Sequence, residues 1–191
     1  MKEFADKGYE HASTNRIVKQ AGIGKGMLFY YFNSKKDLYH YLISYSIQFL
    51  EVNYMNKIDM KETDFIERLK QATILKMKTF DEHPDVFYFL GTILLNENVV
   101  LPKELQKQYD NLQTLAYSLI YDNIDTSLFR TDVNVEKAFQ LIRWSIDGYQ
   151  HHLIQRLQGK KFTEIDFDPL WDEFFQYLDV LRIAFYEDNI D

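Results

Sequence analysis

Apolar positions along this chain recur every three to four residues in long blocks, and almost no stretch sustains the two-residue alternation of a strand. The pattern predicts an all-α protein. Phe4 and Ala5, ahead of Lys7-Gly8, read as the last turns of a helix closed by Gly8 at its C-terminal cap. Ser13 then offers an N-cap to a short helix that turns Ile17, Val18 and Ala21 inward and stops at Gly22. After Gly22-Ile23-Gly24 a second short helix buries Leu28, Phe29 and Phe32. Ser34 caps a third, long helix reaching about Asn56, with Leu38, Leu42, Tyr45 and Phe49 on its apolar side. The polar segment 57–63 marks a change of lobe. Further helices are predicted at about 64–82, stopped by His83-Pro84, at 85–97, and at 103–123 after Pro102. Residues 125–134 read as a loop, and two long helices, about 134–158 and 168–187, close the chain.

The length of 191 residues exceeds a typical single domain and suits two lobes, 1–45 and 46–191. Seven Gly and three Pro are too few for a protein of many tight turns, which strengthens the helical reading. Cysteine is absent, so disulfides, zinc thiolates and thiol nucleophiles are excluded, and a cytoplasmic location is expected. No apolar run has membrane-spanning length and no secretory leader is readable, so no membrane partner is expected. The formal charge of −7 speaks against nucleic acid only until it is divided along the chain. Residues 1–50 carry seven Lys/Arg against four Asp/Glu, a net +3, while the remainder carries fifteen against twenty-five, a net −10. A basic head on an acidic body can approach phosphate, because screening confines surface charge to about 10 Å.

Residues 12–31 give helix, glycine turn and helix, the unit that presents a second helix to a major groove. Spacing alone fits a helical corner inside a core equally well. Leu28 and Phe32, four apart, anchor one side and leave Lys25, Met27 and Tyr30 outward. Backbone amides after Ser13 and Ser34, with Arg16, Lys25, Lys35 and Lys36 nearby, are expected phosphate contacts. The residues Gly8-Tyr9, Ala12-Ser13-Thr14-Asn15-Arg16-Ile17, Ala21-Gly22-Ile23-Gly24-Lys25-Gly26 and Phe29-Tyr30-Tyr31-Phe32-Asn33-Ser34-Lys35 closely resemble the TetR family of bacterial transcriptional regulators, over residues 1 to about 45.

That resemblance implies a DNA-binding head with a helix-turn-helix and a larger helical lobe for ligand binding and dimerisation. It implies a homodimer on double-stranded DNA with a palindromic operator, acting as a repressor that a small apolar or amphipathic effector releases. Carried onto this chain, the DNA-contacting positions are Ser13, Thr14, Arg16, Gly24, Lys25, Gly26, Met27, Tyr30, Tyr31, Lys35 and Lys36. The chain departs from the family pattern at Gly24, Met27 and Phe29, where Ser, Thr and Tyr are frequent, so the usual contacts are not implied there, and at Val18, where Ala is usual and the larger side chain is expected to widen the helix crossing slightly. Met27 suits either a thymine methyl or the protein surface. The resemblance also sets the front of the first helix ahead of Met1.

In the larger lobe the helix at about 134–158 carries Val135, Ala138, Phe139, Ile142, Ile146, Tyr149 and Leu153 on one stripe, with Leu141, Trp144 and Gly148 beside it. The last helix has Trp171, Phe174, Leu178, Leu181 and Phe185 on one side, and Leu170, Tyr177 and Ala184 on another. One lobe cannot cover both faces. A four-helix seam between two subunits is expected to bury the surplus, through Trp144, Tyr149, Leu153, Trp171, Phe174, Leu178, Leu181 and Phe185; a thicker monomer core is the alternative. Tyr88, Phe89, Tyr109, Leu112, Leu115, Ala116, Leu119, Trp144 and Asp147 are candidates for an apolar effector pocket with a few polar handles, or for plain core. Asp147 is the acid within an apolar stretch. His151-His152 are adjacent and point to different faces, so no metal site is expected. No Ser/His/Asp set, paired carboxylates on one helix face, HExxH or phosphate-cradling glycine loop is visible, so neither an enzyme nor a cofactor is expected.

Overall fold

A computed structural model describes residues 1–94 and 100–187, and those residues form helices without a named strand. In chain order they are α1 (Lys2–His11), α2 (Thr14–Gln20), α3 (Lys25–Tyr31), α4 (Lys35–Asn53), α5 (Phe65–Glu82), α6 (Pro84–Leu94), α7 (Lys103–Tyr121), α8 (Val135–Leu157) and α9 (Asp168–Phe185). Short 3₁₀ turns occupy Met55–Lys57, Thr126–Leu128 and Phe162–Glu164. The helices follow the apolar periodicity closely. The expected end of α6 at residue 97 lies outside the described residues.

Local chemistry sets the boundaries. Gly22, at φ 65°, closes α2 in a left-handed turn: its N–H donates to the Lys19 carbonyl, and the Ile23 N–H reaches back to Val18 at 3.0 Å. That paired ending is the one glycine favours. Gly8 behaves differently from the expectation. With φ 68° and ψ 173° it kinks α1, and the helix runs one further turn to His11. Ser34 caps α4 by accepting from the Asp37 N–H at 3.0 Å, and Asp64 caps α5 by accepting from Glu67. Pro84 opens α6 directly after His83 ends α5.

The head shares its core with the larger lobe. Phe4, Val18, Leu28, Leu38, Tyr39 and Ile43 pack in one cluster with Phe89 of α6 and with Leu105 and Leu112 of α7. The Tyr39 ring lies 5.0 Å from Phe4 and meets Phe89 edge-on at 5.5 Å. The division expected near residue 45 therefore falls inside α4, a continuous helix common to both lobes. A second cluster, Phe65, Ile66, Leu69, Phe129, Ala138, Ile142 and Leu178, joins α5, α8 and α9. Arg68, fully buried, donates to the carbonyls of Glu62, Leu119, Asp122 and Asn123, satisfying the end of α7.

The turn Phe162–Glu164 between α8 and α9 packs on α6 and α1. Its Phe162 ring packs so closely against Gly91 that a Cβ there would clash with the ring. Gly91→Ala is expected to destabilise the fold by about 1–3 kcal/mol through overpacking. Thermal unfolding of Gly91→Ala, alone and combined with Phe162→Ala, checks this: the alanine should cost much less once the ring is gone.

Candidate nucleic-acid interface

Leu28 is the residue of α3 that is buried, and it seats the short helix against the head core. At about 100° per residue, Gly26 and Tyr30 lie opposite Leu28, with Met27 and Tyr31 on one flank and Lys25 and Phe29 on the other. Tyr30 is 82% exposed, Tyr31 71% and Met27 54%. The outward face of α3 is thus left uncovered by the described residues of its own chain. Lys25, expected to point outward together with Met27 and Tyr30, is exposed but stands on the flank opposite Met27. Its Nζ lies 5.9 Å over the Phe29 ring, on the flank. Phe29 itself is exposed, and so is Ala21; neither joins the buried sides expected of α3 and α2, where Leu28 and Val18 do the anchoring. The Tyr30 and Tyr31 rings meet edge-on at 5.1 Å.

Several candidate phosphate contacts have other work. Lys35 Nζ donates to the carbonyls of Tyr9 at 2.8 Å, Glu10 at 3.1 Å and Ala12 at 3.3 Å, and lies 4.7 Å over the Tyr9 ring. It closes the end of α1 and holds α4 to it. Ser13 sits at the N-cap of α2, yet its side chain accepts no capping bond. Glu3 satisfies a different donor there: its Oε1 takes the Ser13 N–H at 2.9 Å and the Arg16 Nε–H at 2.8 Å. Arg16 also reaches the His11 carbonyl, at 3.3 Å. Ser13 and Thr14 are half-buried, Gly24 caps α3 without a side chain, and Gly26 is exposed. Lys36 is exposed and, among the described residues, engages in no hydrogen bond or ion pair.

Nothing in the sequence pattern marks Glu3. It is 4% exposed, but its partner Arg16 is thirteen residues away, beyond any local helical spacing. Hydrogen bonding to Arg16 is the largest cause that holds the Glu3 carboxyl below the ordinary glutamate range, while burial opposes it. A carboxylate whose folded value is lowered adds stability above its unfolded pKa, and that stability is lost as pH falls through the folded value.

Of the residues expected to line an effector pocket, Leu112 and Leu115 line a cleft between α4 and α7 together, and the other seven are not among the residues that line it. Phe89 and Leu112 belong to the head–lobe core and Tyr109 packs against it, whereas Trp144, 63% exposed, and Asp147, ion-paired to Arg143 at 3.8 Å, lie on the outside of α8. Tyr88 meets Phe80 and Phe162 instead, and Ala116 and Leu119 are half-buried on α7. Of the seam residues, Leu178 is fully buried in the protomer, in contact with α5 and α8, and is unavailable to a partner. Tyr149, Leu153, Trp171, Phe174, Leu181 and Phe185 are half-buried on the same inward sides. The uncovered apolar surface is the neighbouring face: Leu141, Trp144 and Gly148 of α8, and Tyr177, Val180, Ile183 and Ala184 of α9.

Glu3→Gln is expected to cost about 1 kcal/mol at pH 7. In unfolding curves taken from pH 7 down to pH 3, the gap between the variant and the parent should close below the ordinary glutamate range. Lys35→Met should lower the melting temperature, whereas Lys36→Met should leave it in place and act on DNA affinity alone.

Residues 1–42 match the family model described as bacterial regulatory proteins, tetR family. An HTH-type transcriptional regulator of Staphylococcus aureus (strain USA300) is 38% identical over 165 residues, covering 80% of this chain and 85% of that protein. The HTH-type regulator YerO of Bacillus subtilis (strain 168), itself uncharacterized, is 29% identical over 125 residues, 63% of this chain but 40% of its own length. Among solved structures, the TetR family regulator PfmR of Thermus thermophilus superposes with a TM-score of 0.59 at 18% identity, over 94% of this chain and 92% of that one. The regulator FadR of Bacillus subtilis, solved in complex with stearoyl-CoA, gives 0.55 at 19% identity, over 93% and 92%. These two share the fold. Head motif, helical lobe and the extent of the staphylococcal match together place the chain in one group: it belongs to the TetR family of bacterial regulatory proteins.

Proposed function

We propose that this regulator works as a homodimeric repressor in the cytoplasm, holding a palindromic operator through α3 until a small-molecule effector releases it. The observation that carries the reading is the uncovered outward face of α3, where Gly26 and Tyr30 lie opposite the buried anchor Leu28. A helix seated so shallowly, with its outer face open to solvent, has the shape a major groove admits. Tyr30 and Met27 are positioned to meet base edges and thymine methyls. Lys25, Tyr31, Lys36 and the amides at the start of α4 lie around them as phosphate contacts.

The second subunit is expected on the outer faces of α8 and α9. Trp144, Val180 and the 72%-exposed Ile183 form an apolar surface that a two-fold partner would cover with the same residues. This moves the seam to the outward neighbour of the stripe read from periodicity. The lobe as effector module rests on the family's architecture and on a cleft beside α4. The FadR of Bacillus subtilis, which shares this fold, holds stearoyl-CoA in its complex.

Mobility-shift titration against DNA from upstream of the gene itself and its neighbours tests the reading. Affinity should fall steeply with salt, with a slope of about 0.9 in log K per phosphate contact on B-form DNA. Lys25→Glu should abolish the shift while leaving the melting temperature unchanged; an unaltered shift overturns the assignment of α3. Val180→Asp with Ile183→Asp should give a monomer by sedimentation and should weaken operator binding along with it.

A further inference from the structure

We propose that the larger lobe encloses a site for a carboxylate ligand with an apolar body, and that Lys76 of α5 is the residue that selects its charge. At about 100° per residue, Lys76 stands at the centre of the side of α5 that buries Phe65, Leu69, Ala72, Thr73 and Thr79. Those five side chains are at most 8% exposed, whereas Lys76 in their midst keeps an exposed surface. A side chain that leaves a helix on its inward face and is still accessible looks into a space inside the lobe, not into bulk water.

The groups around Lys76 are aromatic. Its Nζ lies 5.8 Å over the Trp171 ring of α9, that ring lies 6.3 Å from Phe167, and Phe167 lies 5.1 Å from Phe80, one turn along α5 from the lysine. All three rings are half-buried, so each keeps apolar surface for a ligand to cover. Among the described residues no carboxylate pairs with Lys76 and no acceptor takes its N–H groups. Lys70 on the same helix differs, reaching Asp179 at 2.6 Å.

The ligand class follows from that lone ammonium. Burial holds it below the ordinary lysine range, because protein mass displaces the water that would solvate its charge. A negative charge beside it offsets that penalty and accepts from its three N–H donors. One ammonium balances one charge, as a carboxylate carries; a phosphate has close to two charges at pH 7 and would keep the excess among aromatic rings. An amine would add like charge, and an alcohol would leave the ammonium without a counter-charge. Such a ligand would be the effector of the reading above, on which its biological role rests, whereas its binding needs no DNA.

Calorimetric titration of the full chain at pH 7 without DNA, using n-octanoate, n-octyl phosphate, 1-octanol and n-octylamine, tests the site. Octanoate should bind saturably, one per protomer, and the other three at least about tenfold more weakly. Lys76→Met should weaken octanoate at least about tenfold and leave 1-octanol as tight or tighter. Its melting temperature should be no lower than the parent's, since an unpaired charge leaves the interior. No binding of octanoate, equal binding of the alcohol or the phosphate, or octanoate affinity unchanged in Lys76→Met overturns the site. The four ligands on the parent chain decide the class even where the variant does not fold. Because no DNA is present, a silent titration leaves the assignment of α3 intact, and a failed mobility shift leaves the octanoate titration intact.

Discussion

The contact on which the molecule depends is the aromatic joint of Phe4, Tyr39 and Phe89. Phe4 comes from α1, Tyr39 from α4 and Phe89 from α6, and all three are buried. A head of some forty-five residues is small for an independent core, and here its interior is completed by side chains of α6 and α7. The direction in which α3 points is therefore set by helices of the larger lobe. Coupling between lobe and head needs no long chain of intermediaries, because the two lobes share one cluster.

The same joint explains how the polar ties divide their work. Lys35 and Glu3 both hold α1, one at its end and one near its start, and each satisfies backbone groups that would otherwise be left without partners. Glu3 takes the N–H of Ser13 from another helix, the bond that a glutamate at the third position of α2 makes in a capping box, while the Ser13 hydroxyl accepts no capping bond. A lysine at the first position of a long helix reads as a phosphate contact from sequence alone. The three carbonyls at the end of α1 make it part of the frame that aims α3.

Periodicity and punctuation reveal the helices because those signals are local: Gly22, Ser34, Pro84 and the apolar spacing act within a few residues of themselves. What stays hidden is which of two apolar faces looks inward. α9 carries hydrophobic residues on both sides, and Leu178 and Ile183 are alike in the sequence; only packing against α5 and α8 buries the first and leaves the second bare. Phe89 shows the same limit. As an aromatic in an apolar helix it suits a pocket or a core, and its partners Phe4 and Tyr39 lie fifty residues or more upstream. Composition groups Trp144 and Asp147 with it, although the fold puts them on the outer surface of α8.

The distribution of cations in the head bears on why such a protein would act in pairs. With Lys35 bound to three carbonyls and Arg16 committed to Glu3, the candidate face keeps Lys25 and Lys36 as its cations nearest α3. Few phosphate neutralisations per head make the affinity of one head low, since that term dominates DNA binding. Two heads held by a rigid α8–α9 seam would turn the second contact into an intramolecular one, raising effective concentration without any new residue at the groove. On the proposed reading the bare apolar surface around Val180 and Ile183 would matter to DNA binding as much as Tyr30 would. In the proposed dimer the head would supply shape and a little charge, and pairing would supply the strength.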